Sequence, residues 1–128
     1  MRNILIISAV FHPEPVVSAK LSEDLATYLS VSNKVSVISP KPTRPYGFLF
    51  STKEISRTFS LKNLDSYTCP KSNLLGRLRE SYSFGMACKN YIKTNKTDID
   101  IIYMNSWPIF AQYITVKISS KYDIPIIT

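Results

Sequence analysis

Asn3-Ile4-Leu5-Ile6-Ile7-Ser8, followed by Ala9-Val10-Phe11-His12-Pro13-Glu14-Pro15-Val16-Val17-Ser18, decides the reading of this chain. The first run is a short, continuously apolar strand. The second is a loop of about ten residues held stiff by two prolines, and an amphipathic segment follows it. A buried strand, a loop and a helix start bring free backbone N–H groups to the carboxyl edge of a parallel sheet. Open α/β sheets bind ligands at that edge, and the helix dipole favours anions there.

Working outward, strand-like runs alternate with longer segments of helical period. The pattern predicts strand 3–8, helix 17–30, strand 34–39, loop 40–53, strands near 55–60 and 64–68, helix 74–94, strand 99–104, helix 107–121 and strand 124–128. Such alternation argues for an α/β, doubly wound and mainly parallel Rossmann-like sheet with right-handed crossovers. Strands 3–8, 34–39, 64–68, 99–104 and 124–128 are expected in the order 3-2-1-4-5.

Local signals give each element a cause. Val17, Leu21, Leu25, Tyr28 and Leu29 fall on one stripe of the first helix, with Ser18 as its expected N-cap. Asn33 sits where a left-handed residue would end that helix. Leu75, Leu78, Tyr82 and Met86 form the stripe of the long helix expected to face the sheet. Asp123-Ile124-Pro125-Ile126-Ile127-Thr128 reads as a central strand. A chain stopping there is expected to be a single domain, residues 1–128, cut before its natural end.

Composition narrows the function. The 128 residues are 45% hydrophobic and 20% charged, which argues for a globular chain. Apolar runs fall far short of the ~20 residues of a membrane span, and no secretory leader is visible, so a cytoplasmic protein is expected. Cys69 and Cys88 have no metal or redox spacing, His12 is the single histidine, and no metal or cofactor is expected. The formal charge of +7 calls for an anionic partner. Nucleic acid ranks last among these, because no nucleic-acid-binding signature is present. A dinucleotide dehydrogenase fails as well, because no G-x-G-x-x-G follows the first strand.

The ordered set of motifs resembles the start of family 4 glycosyltransferases. The resemblance rests on residues 3–8, Phe11-His12-Pro13-Glu14-Pro15, Ser18-Ala19-Lys20-Leu21 and Asp24-Leu25-Ala26. It continues through Lys34-Val35-Ser36-Val37-Ile38-Ser39-Pro40, Asp98-Ile99-Asp100-Ile101-Ile102-Tyr103, Trp107-Pro108-Ile109-Phe110 and Tyr122-Asp123-Ile124-Pro125-Ile126-Ile127. It implies one half of a GT-B architecture: the N-terminal, acceptor-side domain. A C-terminal domain, absent here, would hold the nucleotide sugar. It further implies transfer of a sugar to a glycan or lipid-linked acceptor in surface polysaccharide biosynthesis, such as capsule or O-antigen. The work would be done in the cytoplasm, at the inner face of the membrane. The alternative is a non-catalytic module or subunit that pairs with a separate donor-binding chain. One departure stands out. Many members carry two glycines where this chain has Val16-Val17, and valines restrict the backbone where a phosphate cradle needs freedom.

Candidate residues follow from position. Glu14 could bond an acceptor hydroxyl or be a solvated loop carboxylate. Ser18, with the amides of Ala19 and Lys20, could face an anion. Lys20 could pair with a diphosphate or simply be an exposed helix residue. Asn105, just after a strand, could hydrogen-bond a sugar, or it or Ser106 could cap the next helix. Trp107 could stack on a sugar or pack in the core. Lys71, Arg77 and Arg79, set among Leu74, Leu75 and Leu78, suit contact with an anionic membrane or an acceptor phosphate. No catalytic residue is assigned, His12 included.

Overall fold

The computed structural model describes residues 1–42, 56–70, 73–105 and 108–128. Lys71, Ser106 and Trp107 therefore lie outside the described residues. The elements run β1 (Asn3–Ile7), α1 (Val17–Leu29), β2 (Lys34–Pro40), β3 (Ser60–Leu64) and α2 (Leu74–Asn95). After a short 3-10 turn come β4 (Ile101–Met104), α3 (Ile109–Lys121) and β5 (Ile126–Ile127).

Every pairing is parallel, and the order is β3-β2-β1-β4-β5. This is the expected Rossmann-like α/β fold. Connections leave β1 toward one edge and β4 toward the other, so the switch point lies between these two strands.

Strand alternation sorts the core into two faces. Leu5 and Ile7 of β1, Ile38 of β2, and Ile102 and Met104 of β4 pack with Phe84, Cys88 and Ile92 of α2 and with Ala111 and Ile118 of α3. Ile6, Val35 and Val37 point the other way, to Ala26 of α1 and to Phe11 and Phe59. The two phenylalanines meet edge to face, with centroids 5.9 Å apart.

Four local expectations are corrected. Among the described residues a single strand, β3, replaces the two expected near 55–60 and 64–68. It pairs from Ser36↔Ser60 to Pro40↔Leu64, and as an edge strand it needs no continuous apolar run, so Lys62 and Asn63 stay exposed.

The stripe of α1 is rotated. Ala19, Ser22 and Ala26 face inward, while Val17, Leu21 and Tyr28 are 77%, 63% and 76% exposed. Small side chains on the inner face let the helix lie close to the sheet.

Its caps differ too. The N-cap is Val16, which has no side-chain cap, and the C-cap is Ser30 in right-handed conformation. Asn33 instead donates Nδ2 to the Leu29 carbonyl at 3.2 Å and accepts the Arg2 amide. The left-handed residue is Asp123, just past α3.

The stripe of α2 is rotated as well. Ser81, Phe84, Gly85, Cys88 and Ile92 are buried, whereas Leu75 and Tyr82 are exposed. The cause is α3, which claims a second face of α2. A Cβ on Gly85 would stand 2.9 Å from Ala111 Cα and 2.8 Å from Ile114 Cδ1, so only glycine admits this approach.

Candidate functional site

A cavity of about 610 Å³ opens at the carboxyl edge of the sheet. Ala9 and Val10 after β1, and Met104 and Asn105 at the end of β4, place it at the switch point. Ser18, Leu21, Ser22 and Leu25 of α1 line it, and so do Arg77, Glu80, Ser81 and Phe84 of α2. The volume is that of a small-molecule site, and the walls are mainly apolar with a few convergent polar groups.

A hydrogen-bonded cluster joins β1, α1 and β4 beneath it. Asn105 Nδ2 donates to Ser8 Oγ at 2.9 Å and to Ser22 Oγ at 3.2 Å. The two hydroxyls lie 3.2 Å apart, and Ser8 Oγ donates to the Val10 carbonyl at 2.6 Å. Ser8 and Ser22 are buried. Ser66 Oγ, also in the lining, is shielded from solvent and has no hydrogen-bond partner among the described residues.

The cavity gathers some of the candidate residues and leaves others out. Ser18, Asn105 and Arg77 share it. Lys20 does not line it; its ammonium lies 3.5 Å from Asp24 on the exposed side of α1. Glu14 is buried, at 5% exposure, which corrects the picture of a solvated carboxylate, and it too is outside the lining. Arg79 stacks over Tyr67 at 4.1 Å, beside a smaller cavity of about 310 Å³ that also holds Cys69.

The amides of Ala19 and Lys20 donate to the Val16 carbonyl at 3.1 and 3.3 Å. They are spent inside the first turn, which leaves Ser18 of the three amides expected to face an anion. Asn105 does not cap α3. The N-cap there is Pro108, and the amides of Phe110 and Ala111 donate to Ser81 Oγ, reaching across from α2.

Other polar and titratable groups lie outside the lining. Arg57 Nη2 lies 3.2 Å from His12 Nδ1, and because a guanidinium only donates, that ring nitrogen accepts. A hydrogen bond from the Lys41 ammonium, helped by its charge, holds the exposed Asp65 carboxyl below its ordinary value. Burial pushes the Cys88 thiol well up and makes it inert. Among the described residues no cluster of His, Cys, Asp and Glu could hold a metal ion.

Ser8, Ser22, Ser66 and Glu80 are the site residues that sequence reasoning missed. Two of them left a trace: a serine closing an apolar strand, and a serine spaced between Ala19 and Ala26 on a small-residue stripe.

No family model matches this chain, and no curated protein sequence does. Among solved structures it is similar to a UGT transferase from Siraitia grosvenorii, solved in complex with UDP. The TM-score is 0.51 at 14% identity, over 98% of this chain. The likeness is one of fold. The chain spans 27% of the length of that transferase.

Proposed function

We propose that this chain is the acceptor-side part of a glycosyltransferase of GT-B architecture. It takes a glycan or lipid-linked acceptor into the cavity at the β1/β4 switch point. The nucleotide sugar is held chiefly by a second domain, on the same polypeptide or on a separate chain. The observation that carries this reading is the ligand-sized cavity between Asn105, Ser18 and Arg77, at the carboxyl edge of a sheet whose fold is like that of a sugar-transferase structure. The span of 27% of that structure supports a missing partner domain. Surface polysaccharide biosynthesis, in capsule or O-antigen, is the setting that the sequence resemblance favours.

Turnover of UDP-sugars with a polyprenyl-diphosphate-linked glycan is the test. Transfer is expected from this chain joined to its donor-binding partner, and none from residues 1–128 alone. Transfer by residues 1–128 alone, or by neither preparation, sinks the reading.

An anionic bilayer is a second partner of the same domain. Leu74 and Leu75 are 73% and 79% exposed, and Arg77 and Arg79 are exposed beside them. Apolar side chains next to cations suit a lipid interface, where each basic residue contributes on the order of 1 kcal/mol. No helix among the described residues is long and apolar enough to cross a membrane, so the contact would be peripheral. Replacing Lys71, Arg77 and Arg79 together by Gln should abolish co-sedimentation with anionic liposomes. Equal binding to neutral and anionic liposomes removes the membrane from the reading.

A further inference from the structure

The polarity of the cavity floor can be worked out proton by proton. Ser8 has one hydroxyl hydrogen, and the Val10 carbonyl takes it at 2.6 Å. Toward Ser22 and Asn105, then, Ser8 Oγ can only accept. Ser22 gives its hydrogen to Ser8 and accepts from Asn105. The Asn105 Nδ2 group is thereby committed to the two serines. The reversed amide fails: Oδ1 would sit 2.9 Å from an oxygen whose only hydrogen is already given to Val10.

We propose that Ser8 and Ser22 are positioning residues that hold the Asn105 carboxamide with Oδ1 toward the cavity. The site then takes, at this point, a hydroxyl donor on a neutral carbohydrate ring and disfavours an anion. A fixed carbonyl oxygen accepts hydrogen bonds and repels phosphate or carboxylate. Leu21 and Leu25, in the same lining, offer apolar surface for the C–H face of a ring. The choice of a sugar as ligand rests on the acceptor-domain reading above. The amide lock itself does not.

Two measurements on the 128-residue chain test the two halves separately. In nitrogen-15 spectra the Asn105 side-chain amide pair is identified by its disappearance in Asn105→Asp. Its hydrogens should exchange at least tenfold more slowly than those of the exposed Asn90, and Ser22→Ala should speed their exchange. Exchange as fast as at Asn90 overturns the lock, whatever the enzyme does. The second measurement adds methyl glucoside, methyl N-acetylglucosaminide or inorganic phosphate at equal concentration. The glycosides should shift the Asn105 and Met104 signals and bind at least fivefold more weakly to Asn105→Ala and Ser22→Ala, while phosphate leaves those signals unmoved. Phosphate shifting them in place of the glycosides, no binding by either glycoside, or equal glycoside binding to Asn105→Ala overturns the ligand class. An intact lock alongside failed sugar transfer would count against the transferase reading alone.

Discussion

Under α2 and α3 the sheet is covered by large apolar side chains, Phe84, Cys88, Ile92, Ile102 and Met104, and the bridge that Ser81 makes there runs from helix to helix, not to the sheet. Under α1 the inner helix face is Ala19, Ser22 and Ala26, and one of these three is a hydroxyl that reaches across to β4. The first face is built for cohesion. The second accepts a thinner apolar layer and gains a polar floor for the cavity. The α2–α3 side thus carries most of the packing and the α1 side the hydrogen-bonded cluster, while the cavity draws its lining from both.

The sharpest challenge to that division is Gly85→Val. The new side chain meets Ala111 backbone at a distance where nothing can yield, and the expected cost is about 3 kcal/mol in urea unfolding. Wild-type stability in this variant would mean that the α2–α3 face is loose and the contrast false.

Next in size is a pH effect from the same face. Burial raises the Cys88 thiol in the folded chain, so its contribution is complete below the unfolded value of ~8.5. As pH rises past that value the unfolded chain loses a proton that the folded chain keeps. Stability should then fall by about 1.4 kcal/mol per pH unit from this group. Cys88→Ala should lack that component of the alkaline slope; identical slopes would contradict a dry surrounding.

Thr115 sharpens the contrast in a different way. It is fully buried, and its hydroxyl has no partner among the described residues. Thr115→Val should raise stability by about 1 kcal/mol, because an unsatisfied buried hydroxyl is removed with little change of shape. A loss of stability would reveal a polar contact on the face described as dry.

The smallest effect belongs to the outer side of α1. Lys20→Ala breaks an exposed pair with Asp24 and should change stability by less than about 0.5 kcal/mol. A loss above ~1 kcal/mol, in the range of buried hydrogen bonds, would mean that this surface carries more of the fold than its exposure implies.

The architecture was legible because apolar runs and helical periods alternate, and right-handed crossovers leave few orders for five parallel strands. Helix rotation was not. In α1 the apolar stripe Val17-Leu21-Tyr28 looked like the core face, yet close packing on the sheet selected Ala19, Ser22 and Ala26. In α2 the neighbour that turned the helix was α3, and side-chain type alone does not show which two elements will touch. Asn105 could be singled out because it follows β4 at the ligand-binding edge. Ser22 could not, since a serine inside a helix looks like a solvent-facing residue until its partners 83 and 14 positions away are known.

Ser81 and Gly85 sit one turn apart on α2, and both engage α3: one through the Phe110 and Ala111 amides, the other through backbone contact. Two fasteners on one seam remove both sliding and twisting. If α2 advanced by a turn along its axis it would strip the hydroxyl from the start of α3 and drive a bulkier side chain against Ala111. The pair therefore behaves as a single stiff plank. Motion that opens or narrows the mouth of the cavity then falls to the rest of its lining: α1, whose small inner residues let a helix shift, and the segments that carry Val10, Pro40 and Ser66.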